Sequence, residues 1–244
     1  MQGAQVTVVV PTYNERENLE ALVEAVLLHG YRVLIVDDGS PDGTGVLADQ
    51  LVESHDLIEV VHRPAKEGLG PAYAHGFAHA LAKHAQVVCE MDADFSHDPA
   101  DLPRLVEAVS TEEADLAIGS RYVPGGSTPD WPFFRRILSK GGNLYARMML
   151  GLEVRDATAG FRAFRAGPLA DLDAATCQAS GYGFQVEMAW RATRRGLQIV
   201  EVPITFRDRV YGESKMKGRI VIEAMWLVTK WGAGRVIGKN RARR

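Results

Sequence analysis

Val6-Thr7-Val8-Val9-Val10-Pro11-Thr12-Tyr13-Asn14-Glu15-Arg16-Glu17-Asn18 is the stretch on which the fold turns. Residues 6–10 are β-branched throughout, so they read as a buried strand, and Pro11, which has no N–H to give a ladder, is expected to end it. Asn14 followed three residues later by Glu17 has the form of a capping box and predicts a helix to about His29. The unit then repeats. Val33-Leu34-Ile35-Val36 ends on Asp37-Asp38-Gly39 and leads to a helical pattern from about Gly43 to Ser54. Ile58-Glu59-Val60-Val61 leads to a helix opened by Gly68-Leu69-Gly70-Pro71, with the proline in its first turn. Val87-Val88-Cys89-Glu90-Met91 ends on Asp92 and Asp94, Asp98-Pro99 starts a fourth helix, and Leu116-Ala117-Ile118-Gly119 is a fifth strand. Strands alternating with helices imply parallel strands joined by helical crossovers, an α/β protein with a Rossmann-like, mostly parallel sheet flanked by helices.

After Arg121 the alternation stops in a stretch rich in Gly and Pro. The second half reads as an elaboration on the sheet: helices near 133–150 and 183–195, a strand near 198–206 and an amphipathic helix near 217–231. The 244 residues are 46% hydrophobic and 24% charged with a net charge of -3, which excludes a disordered chain and suits one large domain with a sizeable core. The two cysteines, Cys89 and Cys177, give neither a disulfide framework nor zinc-ligand spacing and are expected to be reduced thiols. No signal-peptide pattern is present and no stretch approaches about 18 uncharged apolar residues, so neither secretion nor a membrane span is expected. The charge is uneven: residues 201–244 carry eleven Lys and Arg against Glu201, Asp208, Glu213 and Glu223, a net of +7, leaving -10 on the rest. Such an end is either a solvated tail or a surface for phosphates or anionic lipid.

In an open parallel sheet ligands bind beyond the carboxyl ends of the strands. Three strand ends carry chemistry here: residues 11–15, Asp37-Asp38-Gly39-Ser40, and Asp92-Ala93-Asp94. One acidic pair after a strand is usually a turn signal, whereas three such edges point to a site. Asp92 and Asp94, two apart, would project from one face of an extended backbone and suit Mg²⁺ or Mn²⁺, which takes one or two carboxylates plus substrate phosphates. There is no G-x-x-x-x-G-K-[ST] loop, Gly68-Leu69-Gly70 fails as a dinucleotide fingerprint, and no G-x-S-x-G elbow occurs. What remains is a cation bridging a diphosphate leaving group, the chemistry of nucleotide-sugar transfer.

These residues resemble a known family. Residues 10–18, Val36-Asp37-Asp38-Gly39-Ser40 with Asp42-Gly43-Thr44, Asp92-Ala93-Asp94 and Gly119-Ser120-Arg121-Tyr122 are similar to the family 2 inverting glycosyltransferases of GT-A fold. Asp156-Ala157-Thr158-Ala159-Gly160-Phe161-Arg162 and Gly212-Glu213-Ser214-Lys215 resemble the dolichol-phosphate or polyprenol-phosphate mannose synthases among them, and the likeness runs from about Val6 to Trp231. It implies that Pro11, Tyr13, Glu15, Val36 and Asp38 hold the nucleoside, that Asp92 and Asp94, with the Ala93 backbone, place the metal and diphosphate, and that Arg121, Arg209 and Lys215 contact donor and acceptor phosphates. Ser96 stands where the family often has Gln, a shorter metal ligand that a water would extend. Asp156 either orients the acceptor-side arginines or acts as a base. The resemblance further implies a nucleotide-sugar half to residue 122, an acceptor half over 123–235 and a basic tail over 236–244.

A lipid phosphate is anionic at neutral pH and needs cations more than a base, and Arg207, Arg209, Lys215, Lys217 and Arg219, with Arg162, would supply them. The C-terminal helix, with Trp226 and Trp231 beside a polybasic tail, is either an interfacial helix on anionic lipid or a core-packing helix. His75, His79 and His84 are expected on an exposed helix face, without zinc. Phe133, Phe134, Leu144, Met148 and Met149 are expected to form a packing face or one wall of a lipid groove; Tyr182, Phe184 and Glu187 line either the acceptor side or the core. The expected activity is transfer of mannose, with inversion, from GDP-mannose to a polyprenyl phosphate at the cytoplasmic membrane face, through peripheral contact with the membrane or a membrane-protein partner and with no role for nucleic acid. UDP-glucose as donor, a saccharide hydroxyl as acceptor, and a non-catalytic sugar-nucleotide-binding protein are the alternatives.

Overall fold

The computed structural model describes residues 5–111, 113–179, 181, 183–209 and 223–233. In chain order they form β1 (Val6–Thr12), α1 (Arg16–Leu27), β2 (Arg32–Asp37), α2 (Thr44–Ser54), β3 (Ile58–His62), α3 (Leu69–Ala82), β4 (Val87–Glu90), α4 (Leu102–Ser110), β5 (Leu116–Ser120), α5 (Phe133–Leu150), β6 (Arg162–Arg165), α6 (Ala166–Leu172), α7 (Gly183–Arg194) and β7 (Ile199–Pro203). Residues 223–233 are helical. The strands make one sheet in the order β3-β2-β1-β4-β6-β5-β7, parallel except for β6, which is antiparallel to both neighbours.

Alternation along the strands builds two cores. Val9, Leu34, Val36 and Val88 pack with Tyr73 and Phe77 of α3 and Phe184 and Met188 of α7. Val8, Val10, Ile35 and Cys89 pack with Leu19 and Leu22 of α1 and Leu102 and Leu105 of α4. The helix α3 lies so close to β1 that a Cβ at Gly76 would stand 2.3 Å from Val9 Cγ1.

Two local expectations give way. β1 does not stop at Pro11 but pairs on through Pro11↔Val36 and Thr12↔Asp37. Met91 N–H reaches the Val9 carbonyl and Asp38 N–H the Thr12 carbonyl, so odd-numbered residues of β1 face β4 and even ones β2. Pro11 therefore directs its missing donor past the end of β4, where no ladder bond is lost. The capping box does not form either. Asn14 is left-handed, with φ 56, and the helix begins after Glu15 with no side-chain cap of its own. The first residue of α2 and the loop before it take these donors instead: Thr44 Oγ1 accepts from Glu15 N–H at 3.0 Å and Ser40 Oγ from Asn14 N–H at 3.0 Å.

The second half also departs from expectation. β6 and α6 were not anticipated, and β6 inserts between β4 and β5, which the alternation alone would have set side by side. The packing face assigned to α5 points outward: Phe133, Phe134, Leu144 and Met148 are 76%, 74%, 52% and 66% exposed, while Asn143, Ala146 and Leu150 carry the buried side. Met149 alone of that set packs on the core. The expected helix near 217–231 is described only from residue 223, where Leu227, Val228 and Trp231 are buried and Trp231 stacks on Trp190. The segment 210–222, with Lys215, Lys217 and Arg219, and the tail from 234 lie outside the described residues, as does Tyr182. Among the described residues no helix is long and apolar enough to cross a membrane. His75 and His84 are exposed and His79 pairs with Glu59 at 2.8 Å, in keeping with a solvated helix face.

Both cysteines are unpaired. Burial, reinforced by the Glu187 carboxylate, pushes the Cys177 thiol up to about 12. Native protein at pH 8 should therefore react with iodoacetamide far more slowly than a free thiol, by roughly a thousandfold if the thiolate fraction sets the rate. Intact-mass analysis before and after denaturation would show this, and rapid native labelling would refute it.

Candidate active site

The carboxyl ends of β1, β2 and β4 meet on one rim. Asp37 serves structure there: its carboxylate accepts from Thr12 Oγ1 at 3.1 Å and from Ser40 N–H and Oγ, locking the first two strand ends together. Asp38 is turned the other way and accepts from Arg63 Nη1 at 2.5 Å, with both groups buried. Burial raises its carboxyl above the ordinary range and Arg63 opposes that shift. Arg63 also pairs with Glu67, and Lys66 Nζ sits 3.9 Å over the Tyr13 ring. Tyr13, Asp38, Arg63 and Lys66 thus make a charged, partly aromatic corner suited to a nucleoside. Arg63 and Lys66 were not anticipated, although both follow β3, where the strand-end rule applies equally. Val36 and Ala93, in contrast, turn their side chains into the two cores and can meet a ligand only through their backbone.

The acids after β4 are not on an extended segment. The strand ends at Glu90, residues 93–94 are in a turn, and Phe95 is left-handed with φ 57. That turn folds Ser96 N–H onto Asp94 Oδ1 at 3.0 Å, while Ser96, itself buried, accepts through its carbonyl from Arg207 N–H. Asp92 and Asp94 nonetheless face each other electrostatically. Burial, and then the Asp94 charge, hold the Asp92 carboxyl well above the usual carboxylate range, and Glu15 adds to the effect. Tyr73 Oη donates to Asp92 Oδ1 at 2.9 Å, and Arg209 Nε lies 3.2 Å from Asp94 Oδ2. Beside them His97 is buried between Phe161, 5.0 Å away and nearly parallel, and Phe206 at 5.3 Å, and burial lowers its pKa so that it is neutral at pH 7.

On the far side, Asp156 is fully buried and accepts from Arg121 three times: from N–H at 3.0 Å, Nε at 2.7 Å and Nη2 at 2.7 Å. Thr158 Oγ1 donates to it and Asn143 fixes Thr158. Despite burial the carboxyl is lowered, because Arg121 holds it ionised. Of the two readings of Asp156 the geometry fits orientation of an arginine and leaves no oxygen for base chemistry. Arg162 corrects another expectation. It is fully buried and donates to the carbonyls of Ala159, Ala157 and Gln185, facing Glu90 across the β4–β6 ladder, so it braces the sheet and cannot reach a lipid phosphate. Glu187 likewise belongs to the scaffold, accepting from Gln178 N–H, Ala179 N–H and Arg191. Phe184 is a core residue.

With this geometry in hand, the chain can be set beside known proteins. The model of the family described as Glycosyl transferase family 2 matches residues 7–173, from β1 to the end of α6. The chain belongs to glycosyl transferase family 2. Polyprenol monophosphomannose synthase of Mycolicibacterium smegmatis is 50% identical over 228 residues, covering 92% of this chain and 86% of that protein. Undecaprenyl-phosphate mannosyltransferase of Micrococcus luteus is 50% identical over 230 residues, covering 93% and 94%. Among solved structures, mannosyltransferase PcManGT from Pyrobaculum calidifontis in complex with GDP-Man and Mn²⁺ superposes with a TM-score of 0.57 at 16% identity, over 98% of this chain and 75% of that one. The family 2 chain thus has the GT-A fold, and its strand-end rim corresponds to the part of such a fold where chemistry is expected.

Proposed function

We propose that this family 2 glycosyltransferase transfers mannose from GDP-mannose to a polyprenyl phosphate, inverting the anomeric centre to give a β-linked polyprenyl phosphate mannose. The likeness to two polyprenyl-phosphate mannosyltransferases at 50% identity over nine-tenths of the chain carries this reading. The rim geometry supports it. Tyr13, Glu15, Asp38, Arg63 and Lys66 would take the nucleoside, with Pro11 flooring it.

Asp92 and Asp94 fit a hard divalent cation, Mg²⁺ or Mn²⁺. The repelling pair of half-buried Asp92 and buried Asp94 is an oxygen-only donor set, and phosphates and water would complete the shell. Ser96 contributes through its backbone N–H to Asp94, and the resemblance would have its hydroxyl reach the ion by way of a water. Bound there, the cation would offset the charge that develops on the departing diphosphate. Arg209, already against Asp94, would hold a phosphate at the same point, and Lys215 is assigned the acceptor phosphate by resemblance alone. No general base is required, since the attacking phosphate oxygen is already anionic, and Asp156 is committed to Arg121.

The acceptor brings the reaction to a membrane surface, and α5 suits one. Its outward stripe of Phe133, Phe134, Ile137, Leu138, Leu144 and Met148 is flanked by Arg135, Arg136, Lys140 and Arg147, an apolar face rimmed with cations. Co-flotation with vesicles containing anionic lipid is expected for the native protein and should fall at least tenfold for the double variant Phe133→Asp, Phe134→Asp with its melting temperature unchanged. Equal flotation of the two would remove α5 as the contact.

The activity is tested by transfer of radiolabel into an organic-extractable product from GDP-mannose and, in parallel, from UDP-glucose, with Mg²⁺ or Mn²⁺ and a polyprenyl phosphate. Labelling from GDP-mannose alone is the expected result. Labelling from UDP-glucose alone would overturn the donor, and labelling without a lipid phosphate would overturn the acceptor.

A further inference from the structure

Beneath the rim, a side chain with no part in the sequence reading touches one of its acids. Tyr73 is fully buried on α3, 19 residues before Asp92 in the chain, and its hydroxyl donates to Asp92 Oδ1 at 2.9 Å. Its ring has little freedom. Phe184, at the start of α7, stacks on it at 6.2 Å with 9° between planes, and Phe77 stacks from the same helix at 5.8 Å. The residue after Phe184 continues the support: Gln185 Nε2 donates to Glu90 Oε2 at 2.7 Å, two residues before Asp92, and the Gln185 carbonyl accepts from Arg162 at 3.0 Å. Helices α3 and α7 thus meet under the strand end and fix it from below.

We propose that Tyr73 is a positioning residue for the transfer: by occupying Oδ1 it holds Asp92 in the rotamer that offers its remaining lone pairs to a divalent cation. A protonated phenol donates one hydrogen bond in a set direction, and a fully buried ring packed against both Phe77 and Phe184, which also contact each other, has little freedom to change that direction. Without it Asp92 would be a half-buried carboxylate opposed by Asp94 and lacking this donor, free to rotate away. Partners that orient metal-binding carboxylates typically change metal affinity or activity by about 10–100-fold when removed.

This inference rests on the metal-dependent reading of Asp92, and the experiment separates the two. Calorimetry gives the GDP dissociation constant in Mn²⁺ and in EDTA, and their ratio measures how far the cation tightens the nucleotide. In the native protein Mn²⁺ should tighten GDP. In Tyr73→Phe, which keeps the stacked ring, the ratio should shrink about tenfold or more while the value in EDTA stays the same. A native ratio near one would sink the metal reading and this role with it. A large native ratio left unaltered in Tyr73→Phe would sink the role alone. Should Tyr73→Phe fail to fold, Phe184→Leu retains the hydroxyl but removes one of the rings it packs on, and the role predicts a reduced ratio there too, whereas a purely structural stack would lower the melting temperature without moving the ratio.

Discussion

Asp94→Asn is expected to cut mannosyl transfer on the order of 10³-fold, the rate equivalent of about 4 kcal/mol of lost charge stabilisation at the diphosphate. The amide keeps an acceptor for Ser96 N–H, so the turn at Phe95 survives. The lost ion pair joins Arg209, 23% exposed, to the buried Asp94 carboxylate, and its loss is offset by the relief of the repulsion between Asp94 and Asp92. The melting temperature should therefore stay within a few degrees of the native value while turnover collapses, and the defect should persist at saturating Mn²⁺. Radiolabel transfer and a thermal melt on the same preparation check both halves. Native turnover in the variant would remove Asp94 from the reaction, and a large loss of stability would mean that the acid is structural.

Asp156→Ala should have the converse signature, a loss of about 3–5 kcal/mol of stability together with activity. The carboxylate is the counter-charge for Arg121, and its removal leaves a largely buried guanidinium surrounded by Tyr122, Trp131 and Phe206, each within about 5.4 Å of Cζ, with three hydrogen bonds gone. In a chain of this length such a loss corresponds to a melting temperature lower by roughly 10 °C. The same pair sets an acid limit. Because its pKa is lowered by folding, Asp156 contributes stability that is fully present above the unfolded carboxylate value of about 4 and is lost as pH falls through the lower folded value. Native protein should lose stability across that window, and Asp156→Asn, which cannot titrate, should show a shallower decline. Identical acid profiles would mean that Asp156 is not the group responsible.

The residues that could be read from sequence are those whose chemistry is local. Asp38, Asp92 and Asp94 each lie within three residues of a strand-like run, Val33–Val36 or Val87–Met91, the second broken only by Glu90, so strand and acid were visible together. β6 was hidden because its four residues, Arg162-Ala163-Phe164-Arg165, carry a charge at each end and show no alternation; a buried arginine looks like a loop cation until three carbonyls are found around it. The α5 stripe shows the opposite failure. Its apolar period was plain, but a period fixes a face and does not say what that face meets. Tyr73 and Gln185 could not have been found, since each acts across the sheet on a residue 19 or 95 positions away.

The placing of β6 has a consequence for the order in which the molecule can be made. During synthesis β4 and then β5 leave the ribosome before the strand that must lie between them, and α5 is complete before β6 appears. Until residue 165 has emerged, β4 has an open edge next to Cys89 and Glu90, and β5 has nothing to pair with on that side. The nascent chain must therefore carry a half-finished sheet through some forty residues of translation, during which β4 and β5 must be kept from each other's edge. A gene split after residue 122 would present the same gap permanently, and the two pieces would be expected to fold only on meeting, by threading β6 into the space waiting for it.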